Sequence, residues 1–527
     1  MNNRILKTIY IVVSLFFLAF VFNAQSPGIR GDGHEYILMS QSFLNHGTPQ
    51  LRESKDVGDL VNAFRREDAK FNSPLYICGN EKDCSDSKYA MNGYFKDKHG
   101  DFYSYHFSFL SIINTPALLL TNNFDKAPTK SFYLTNAVFF LISIFFVLFI
   151  LKESLLYRLS LLFFIVGQTT FLYMKWPHPE SITVSLSIIA ICLIKREKVL
   201  LASVIFALAS LQYPPLGLAA AIVLFYGVVA DAVESKQKSI IDVIRNKNLI
   251  IKYISFSFLS GLIVLIPSMF YLYHYGVPSL IATGWARADL ISMRRFISMH
   301  YDLNQGSILL YPAILLLTPI FALLSILNIK KKNNRTVLLL VFITIISTIP
   351  SLSTTNWNSG ADNVMRYAFW ASIPLVFAFV EFLFNIKNKI IFWILLSLSV
   401  LIQLFTYALQ YNNSYFSLKN LNSSNVALWA YKNIPTIYNP TPEIFWERFY
   451  GKEVPFKNVY SEKGYPAFSH NGKIMKVLVP NEYKMHGELC TDENTGTTFS
   501  DEGYTYINFK NGCTPLKPIT DGVIFIK

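Results

Sequence analysis

The sequence predicts an α-helical polytopic membrane protein with about 11 spans, and three observations lead to this fold class. The chain has 527 residues, of which 52% are hydrophobic and only 15% are charged, whereas soluble domains carry about 25% charged residues. Apolar runs that approach the roughly 20 helical residues needed to cross a bilayer recur throughout residues 1–408. Lys and Arg occur in short clusters that fall on alternate connectors between these runs.

The first apolar run, 9–22, is predicted to be an uncleaved span rather than a signal peptide. Phe22 and Asn23 stand where a cleavage site needs small residues, and Arg4 and Lys7 precede the run. The further predicted spans are 131–151, 157–174, 179–194, 198–212, 214–231, 252–273, 307–328, 336–350, 367–385 and 390–408.

Three of these runs, 179–194, 198–212 and 336–350, are short for a span. A short run can belong to a broken helix, a tilted neighbour or a hairpin that does not reach both faces. We therefore expect irregular membrane helices in these places.

The basic residues predict which side of the membrane each connector occupies. With 11 spans, the Lys and Arg clusters all lie on one side, so the positive-inside rule puts the N-terminus in the cytoplasm and the C-terminus outside. A large first outer loop then covers 25–130. Its apolar piece, 107–120, is predicted to be interfacial or re-entrant, because another span would reverse every later connector. The net charge of +13 suits this topology and anionic lipid, and it gives no reason to invoke nucleic acid.

The region after residue 408 changes character and becomes rich in Asn, Tyr, Pro, Gly and Glu. Short β-type runs at 475–479, 504–509 and 523–526 predict strands. We therefore divide the chain into a transmembrane domain, 1–408, and a small C-terminal periplasmic α/β domain, 409–527.

Cysteine placement indicates an oxidising outer compartment. Cys78 and Cys84 share the first loop, and Cys490 and Cys513 share the C-terminal region, whereas Cys192 lies within a predicted span. We expect the disulfides Cys78–Cys84 and Cys490–Cys513. The alternative is four free thiols.

Ionisable side chains follow the first span directly. Residues 31–36 read Gly-Asp-Gly-His-Glu-Tyr and bring Asp32, His34 and Glu35 close together at the predicted outer membrane surface. A carboxylate placed there can act as a general base. The alternative is a solvated loop with ordinary surface acids.

A second polar turn, 175–180, reads Lys-Trp-Pro-His-Pro-Glu on the same predicted face. Its two prolines fix the backbone, and Trp176 offers an aromatic face for a sugar. His178 and Glu180 at the rim of a span are costly to bury and usually line a wet cavity. The alternative is a rigid turn with a snorkelling acid.

Arginines on the outer face run against the positive-inside rule and need a reason. Guanidinium groups bind phosphate oxygens with two hydrogen bonds, so an anionic lipid phosphate is one reason, and charge balance with local acids is the other. The residues in these two outer segments are Trp285, Arg287, Arg294, Arg295, Arg366 and Tyr367.

The layout of these segments resembles that of the GT-C superfamily of polytopic glycosyltransferases. The resemblance covers about the first 400 residues in layout but only a few positions in motif. It rests on the order of the first span, 31–36, 105–106, 178–180 and 366–367.

This resemblance implies a hexosyltransferase in a bacterial inner membrane with its active site facing the periplasm. It would move a sugar from a polyprenyl-phosphate donor to a hydroxyl of a surface glycan or lipid-linked glycan of the O-antigen kind. The first-loop acid would be the base; many members have two adjacent acids, whereas Asp32 and Glu35 are separated, so either can be the base. The implied substrate contacts are His34, His106, Trp176, His178, Glu180, Trp285, Arg287, Arg294, Arg295, Arg366 and Tyr367.

No cofactor is required by any motif in the sequence. Some members of the superfamily need a divalent metal, and Asp32, Glu35, His178 and Glu180 could supply ligands, although no spacing demands one.

Two other functions compete with the glycosyltransferase. An O-antigen polymerase would depend on Arg287, Arg294 and Arg295 and would tolerate Asp32→Asn. A transporter or flippase would place charges in mid-span or show two matching halves, and the sequence has few such charges and no paired halves.

Overall fold

Helices dominate the computed structural model, and a small sheet lies near the C-terminus. The structure describes residues 3–28, 32–67, 93–167, 173–234, 247–357, 364–411, 422–451, 464–481, 490, 496–516 and 519–526. The chain divides into two compact units. The first comprises Met1–Gly284, Ala322–Ser347 and Ile373–Lys387, and the second comprises Trp285–Phe321, Thr348–Ser372 and Asn388–Lys527.

Helices form at the predicted apolar runs, and further helices form in the predicted outer loops and in the C-terminal region. They are α1 (Asn3–Asn23), α2 (Gly33–His46), α3 (Glu53–Glu67), α4 (Phe109–Asn123), α5 (Lys130–Phe145), α6 (Leu155–Val166), α7 (Glu180–Lys195), α8 (Val199–Ser210), α9 (Leu216–Glu234), α10 (Lys247–Tyr275), α11 (Leu280–Trp285), α12 (Met293–Tyr301), α13 (Pro312–Leu327), α14 (Lys332–Ser351), α15 (Arg366–Ala371), α16 (Ile373–Phe384), α17 (Lys389–Tyr411), α18 (Asn425–Asn433) and α19 (Pro442–Tyr450).

Six helical stretches of the described chain are long and apolar enough to cross a membrane, which supports a polytopic membrane protein. Other apolar helices are shorter, such as α6, α8 and α13. The six are Arg4–Asn23, Lys130–Ile150, Lys247–Tyr275, Lys332–Ser351, Arg366–Phe384 and Lys389–Leu409.

The run 336–350, expected to be short and irregular, instead belongs to a helix long enough to cross a membrane. Helix α14 has 20 residues and belongs to the six long apolar helices. The apolar run by itself is short, but the helix also includes the polar turn that precedes it, starting at Lys332. In contrast, α7 and α8 are short, with 16 and 12 residues.

The apolar piece of the first loop forms α4, which has 15 residues and contains Pro116. At 1.5 Å per residue it is about 22 Å long, too short to cross 30 Å of hydrocarbon. Its buried face combines Leu110 and Leu118 with polar side chains. The hydroxyl of Ser111 donates to the carbonyl of Tyr36 at 2.9 Å, and the amide of Asn114 donates to Ser131 at 2.8 Å. These hydrogen bonds hold α4 between α2 and α5.

A short antiparallel hairpin precedes α4 and consists of β1 (Tyr94–Lys96) and β2 (Phe102–Ser104). Hydrogen bonds attach this hairpin to the C-terminal end of α10. The hydroxyl of Tyr271 donates to the carbonyl of Ser104 at 3.3 Å, and His274 Nδ1 lies 2.7 Å from Asp97 Oδ2. The hairpin thereby fixes the residues that follow β2, which belong to the candidate site.

The C-terminal region contains a five-stranded antiparallel sheet in the order β5-β6-β4-β3-β7. The predicted β-type runs 475–479, 504–509 and 523–526 lie inside three of these strands. Helices pack on an antiparallel sheet here, so the region is α+β and not the predicted α/β. The strands are β3 (Tyr465–His470), β4 (Lys473–Pro480), β5 (Thr497–Asp501), β6 (Tyr504–Cys513) and β7 (Gly522–Ile526).

Aromatic side chains join α18 and α19 to this sheet. Tyr431, Phe445 and Tyr506 are fully buried in one cluster. A second buried cluster includes Ile474, Val477 and the two cysteines Cys490 and Cys513. The sheet is therefore covered by apolar contacts, which is what stabilises a small domain.

Cys490 and Cys513 form the predicted disulfide, whereas Cys192 is a buried free thiol in α7. The other predicted pair, Cys78 and Cys84, lies outside the described residues.

We expect thiol labelling to detect the disulfide directly. A fragment that begins after residue 412 contains only two cysteines, Cys490 and Cys513. Denatured without reductant, it should take up no maleimide, and after reduction it should take up one per cysteine. Because the bridge closes a loop with a sequence separation of 23, Cys513→Ser should cost about 3 kcal/mol of unfolding free energy. Labelling without reductant would contradict the pairing.

Candidate functional site

The two polar turns singled out in the sequence meet in the first unit. Asp32 stands just before α2, and Gly33 is its first residue. A Cβ atom on Gly33 would lie 2.6 Å from Cγ of Pro177, so only glycine allows this close approach. The contact places His178 beside Asp32, with Nδ1 of the imidazole 3.9 Å from Oδ2 of the carboxylate.

His106 stands between the two candidate carboxylates. Its Nδ1 lies 3.0 Å from Oε2 of Glu35, and its Nε2 lies 3.7 Å from Oδ2 of Asp32. The hydroxyl of Ser104 donates to the same Glu35 oxygen at 2.5 Å, and the hydroxyl of Tyr105 donates to Oδ1 of Asp32 at 3.2 Å. The imidazole is thus positioned by one acid and approaches the other.

Burial separates the roles of the two acids. Glu35 is only 3% exposed, and this burial raises the pKa of its carboxyl, while His106 opposes the rise. The side chain of Asp32 remains 19% exposed. A substrate hydroxyl can therefore reach Asp32, whereas Glu35 contacts the rest of the site through His106.

Gly93 allows the backbone to pass directly against Glu35. Its φ is +79°, and a Cβ atom there would lie 2.3 Å from the Glu35 carboxyl and 2.4 Å from the ring of Tyr105. Its carbonyl also accepts the backbone N–H of Tyr105 at 3.0 Å. The backbone at Gly93 therefore packs against Glu35 and Tyr105 on one side of the site.

We expect Gly93→Ala to disrupt this packing. A left-handed backbone costs a non-glycine residue about 1–3 kcal/mol, and the added methyl group must also displace Glu35 or Tyr105. Thermal unfolding of the purified variant measures the effect. Gly47→Ala is the matched control, because Gly47 has φ +75° but an added methyl group there would meet nothing within 4 Å. Equal losses in the two variants would show that backbone strain alone matters.

The ring of Tyr36 packs against the imidazoles of His106 and His178. Its ring centre lies 5.3 Å from that of His106 and 5.8 Å from that of His178. Its hydroxyl accepts a hydrogen bond from Gln212 Nε2 at 2.9 Å. His34 is half-buried nearby, and burial together with His178 lowers the pKa of its imidazole. A neutral His34 can exchange a hydrogen bond with a ligand without adding charge.

Trp176 lies beside His178, with the two ring centres 4.2 Å apart and the planes 32° from parallel. The amide of Asn136 holds this turn by donating to the carbonyl of Trp176 at 3.1 Å. The indole is half-buried, so part of its surface is accessible to a ligand. Glu180 is fully buried and accepts a hydrogen bond from the hydroxyl of Tyr213.

One group of the described residues could hold a metal ion. Asp32, Glu35 and His106 each offer one ligand atom, and these atoms lie within 4.8 Å of one another. The sequence proposed His178 and Glu180 as further ligands, but neither belongs to this group. Two carboxylate oxygens and one imidazole nitrogen suit a divalent cation of the Mn²⁺ or Zn²⁺ kind.

Arg294 and Arg295 lie in the second unit and bind acids at the β5–β6 turn. Arg294 Nε donates to Asp501 at 3.0 Å, and Arg295 Nε donates to Glu502 at 2.7 Å. Arg295 is 0% exposed and also donates to the carbonyl of Thr354 at 2.6 Å. The alternative offered by the sequence, charge balance with local acids, describes both arginines in this structure.

The other outer aromatic and basic residues also belong to the second unit. Trp285 is exposed. Arg287 forms an exposed pair with Asp289 at 2.5 Å. The guanidinium of Arg366 lies 5.4 Å from the ring centre of Tyr367. An exposed ion pair of this kind is held only weakly, so Arg287 is available to exchange its partner.

Sequence reasoning missed several residues of the site. Ser104 was not singled out, although it stands two residues before His106, and Tyr105 was noted only as part of the pair 105–106. Gln212 stands at the end of the predicted span 198–212, and no other feature of the sequence pointed to it. Tyr36 ends the polar stretch 31–36, but its packing against His106 and His178 depends on contacts that are distant in sequence, as does the role of Gly93.

Comparison with protein-family models, with curated proteins and with solved structures finds no match for the chain.

Proposed function

We propose that the protein is a membrane glycosyltransferase that moves a sugar from a polyprenyl-phosphate donor to a hydroxyl of a surface glycan. The observation that carries the proposal is the arrangement Asp32–His106–Glu35, in which an accessible carboxylate stands next to an imidazole that a buried carboxylate orients. The resemblance of the sequence to the GT-C layout supplies the donor and acceptor classes.

In the proposed reaction Asp32 accepts the proton of the acceptor hydroxyl. The hydroxyl oxygen forms a bond to the anomeric carbon as the bond from that carbon to the phosphate oxygen breaks, and polyprenyl phosphate leaves with the electron pair. General bases of this kind contribute about 10²–10⁴-fold to rate. His106, which stands 3.7 Å from Asp32, offers a second proton site and favours the return of the base to its ionised form.

The aromatic and histidine side chains around Asp32 support a sugar at this place. Trp176 presents a half-buried ring beside His178, and rings of this kind stack on the apolar face of a sugar. We assign Asp32 as the base and Glu35 as a positioning residue, because Glu35 is buried and hydrogen-bonded to Ser104 and His106.

The same proposal includes the topology predicted by the sequence. Eleven spans with the N-terminus in the cytoplasm place this site on the periplasmic face of a bacterial inner membrane, where a lipid-linked donor arrives from the side of the bilayer. A cysteine-accessibility series on exposed Lys55 and Lys387 tests it, because the proposed topology puts the two positions on opposite faces.

A metal-assisted version of the reaction is the second candidate, and the triad of ligand atoms within 4.8 Å favours it. Asp32, Glu35 and His106 would then hold a divalent cation that neutralises the leaving phosphate. Activity lost in EDTA and restored by Mn²⁺ would assign the triad to a cation. Activity that survives EDTA would assign Asp32 to base catalysis without a metal.

The O-antigen polymerase is less well supported. It would depend on Arg287, Arg294 and Arg295, and the guanidinium groups of the last two are engaged by Asp501 and Glu502. The deciding experiment is mass spectrometry of surface glycans from cells that carry the wild-type chain or lack it. A gain of one hexose supports transfer, whereas a change in chain length alone would support polymerisation.

A further inference from the structure

Helix α12, in the second unit, exposes apolar side chains and buries polar ones. On the face that packs against the protein, Arg295 is 0% exposed and Ser298 is 5% exposed. On the other side, Met293 is 72% exposed and Ile297 is 45% exposed. These two side chains lie one turn apart and form a stripe. A helix that faces water normally shows the opposite pattern, which indicates that this stripe contacts something other than water.

The C-terminal end of α12 lies at the level of a membrane helix. The Nε2 atom of His300, a buried side chain, is 3.3 Å from Oγ1 of Thr348. Thr348 stands three residues before the end of α14, whose stretch Lys332–Ser351 is long and apolar enough to span a bilayer. At 1.5 Å per residue, it lies about 4.5 Å inside the end of that stretch. Helix α12 therefore ends alongside the span rather than above it.

The residues that follow α12 give the same level against a second membrane helix. The side-chain amide of Gln403 donates to the carbonyl of Leu310 at 2.6 Å. Gln403 stands six residues before the end of the apolar stretch Lys389–Leu409 of α17, which is about 9 Å inside that end. Contacts with two different apolar helices therefore place the end of α12 and the residues after it at the membrane boundary.

The exposed stripe of α12 continues onto α13. Tyr301 lies one turn beyond Ile297, and its hydroxyl donates to the carbonyl of Leu315 at 3.1 Å, in the first turn of α13. On this apolar helix Leu316 is 63% exposed and Ile320 is 53% exposed. An exposed apolar surface of this size marks a membrane or protein contact. Because the two surfaces adjoin, the same contact covers both helices.

The segment that leads into α12 is also held at the end of a span. The N–H of Thr355 donates to the carbonyl of Trp285 at 2.9 Å, and the N–H of Arg287 donates to the carbonyl of Ser353 at 2.8 Å. Ser353 is only two residues beyond the end of α14. The indole of Trp285 is 38% exposed, and the side chain of Arg287 is 52% exposed. Tryptophan is enriched at membrane–water interfaces, and guanidinium groups bind phosphate oxygens.

We propose that Trp285–Tyr301 is an interfacial segment that binds the phospholipid surface at this end of the spans. Met293 and Ile297 enter the boundary between headgroups and acyl chains, where the apolar face of an interfacial helix is buried by about 5–10 Å. Trp285 lies at the level of the headgroups, where Arg287 can donate to their phosphates.

A membrane fits this face better than a protein partner does. Both ends of the segment are held by residues inside or next to the ends of apolar helices, so lipid already surrounds the place that a partner would occupy. The sequence predicted an outer loop in which Trp285 and Arg287 contact a substrate. The inference assigns them to lipid instead, and it stands whether or not the protein transfers a sugar.

Spin-label accessibility tests the proposal without requiring activity. Met293→Cys and Ile297→Cys are introduced singly into a full-length Cys192→Ser chain, labelled with a nitroxide without reductant, and reconstituted into vesicles of phosphatidylethanolamine and phosphatidylglycerol. The Cys192→Ser chain without an added cysteine gives the background. Oxygen concentrates in hydrocarbon, whereas nickel ethylenediaminediacetate stays in water. The ratio of oxygen to nickel collisions should be several-fold higher at both positions than in Lys510→Cys, a control at an exposed lysine of β6.

Each other result would overturn the proposal. Free access of the nickel complex to both labels would place the stripe of α12 in water. Protection of both labels from oxygen and from nickel would show that protein covers the stripe, for example a second copy of the chain. If one of the two cysteine variants does not fold, the label at the other position decides the question.

A charge placed in the stripe gives an independent test. In the chain labelled at Met293→Cys, the further change Ile297→Glu should raise nickel collisions at the label several-fold, because a carboxylate is costly to hold among acyl chains. Ile297→Leu is the matched control and should leave the collisions unchanged, because leucine is equally apolar. The same collision ratio in the glutamate and leucine variants would show that residue 297 does not enter lipid.

Discussion

Asp32→Asn is expected to lower transfer by about 10²–10⁴-fold, because the amide cannot accept the proton of the acceptor hydroxyl. Asparagine keeps the shape of aspartate, and its side-chain oxygen can still accept the hydrogen bond that Tyr105 donates at 3.2 Å. The variant should therefore insert and accumulate like the wild-type protein. Rates of hexose addition to a purified acceptor, measured in reconstituted vesicles, test the expectation.

Asp59→Asn is the matched control for this variant. Asp59 is an exposed acid in α3, and its carboxylate accepts a hydrogen bond from Asn45 at 3.0 Å without taking part in the site. It should retain wild-type transfer. Full activity in Asp32→Asn would move the base elsewhere and would remove the main support of the proposed function.

Glu35→Gln is expected to reduce transfer by about 10–100-fold, less than Asp32→Asn, because a residue that orients a catalytic group costs less when it is changed than the group itself. The glutamine oxygen can still accept from Ser104 and His106, but it no longer carries the charge that stabilises a protonated imidazole. Kinetics of both variants on the same acceptor decide which acid is the base. A larger loss in Glu35→Gln than in Asp32→Asn would assign the base to Glu35.

Glu35→Gln should also change how stability depends on pH. Burial raises the pKa of the Glu35 carboxyl above its ordinary value of 4.5, so the folded state binds this proton more tightly than the unfolded state. The unfolding free energy of the wild-type protein should therefore fall as pH rises from about 4.5 through the raised pKa. This contribution should be absent in Glu35→Gln and retained in Asp59→Asn. A wild-type slope in Glu35→Gln would show that Glu35 is not the group responsible.

The membrane helices could be predicted from the sequence because they depend on local composition. An apolar run of sufficient length has few alternatives to a helix in hydrocarbon, since every backbone group must be bonded within the segment. The β-type runs near the C-terminus were found for a similar reason, because β-branched and aromatic residues cluster between turn residues. The exact length of α14 was missed. Its first turn is polar, so the apolar run used to predict the span begins only after that turn.

The candidate site could be predicted only in part. Asp32, Glu35 and His178 stand in turns whose residue types already suggested chemistry. The contact of Gly33 with Pro177, which brings these turns together, joins positions 144 apart in the chain and leaves no local signal. The sequence also does not show which group a charged side chain binds. For Arg294 and Arg295 it therefore left two possible partners, a lipid phosphate and local acids.

The sequence by itself determined that the chain is a membrane protein with a strand-rich C-terminal region, since hydrophobic length and strand composition act over neighbouring residues. Only the tertiary structure decided that His106 stands between Asp32 and Glu35, and that one acid is partly exposed while the other is buried. The physical reason is that burial and pairing depend on packing between distant segments. Here the β1–β2 hairpin, anchored on α10 through Tyr271, brings the imidazole to the acids.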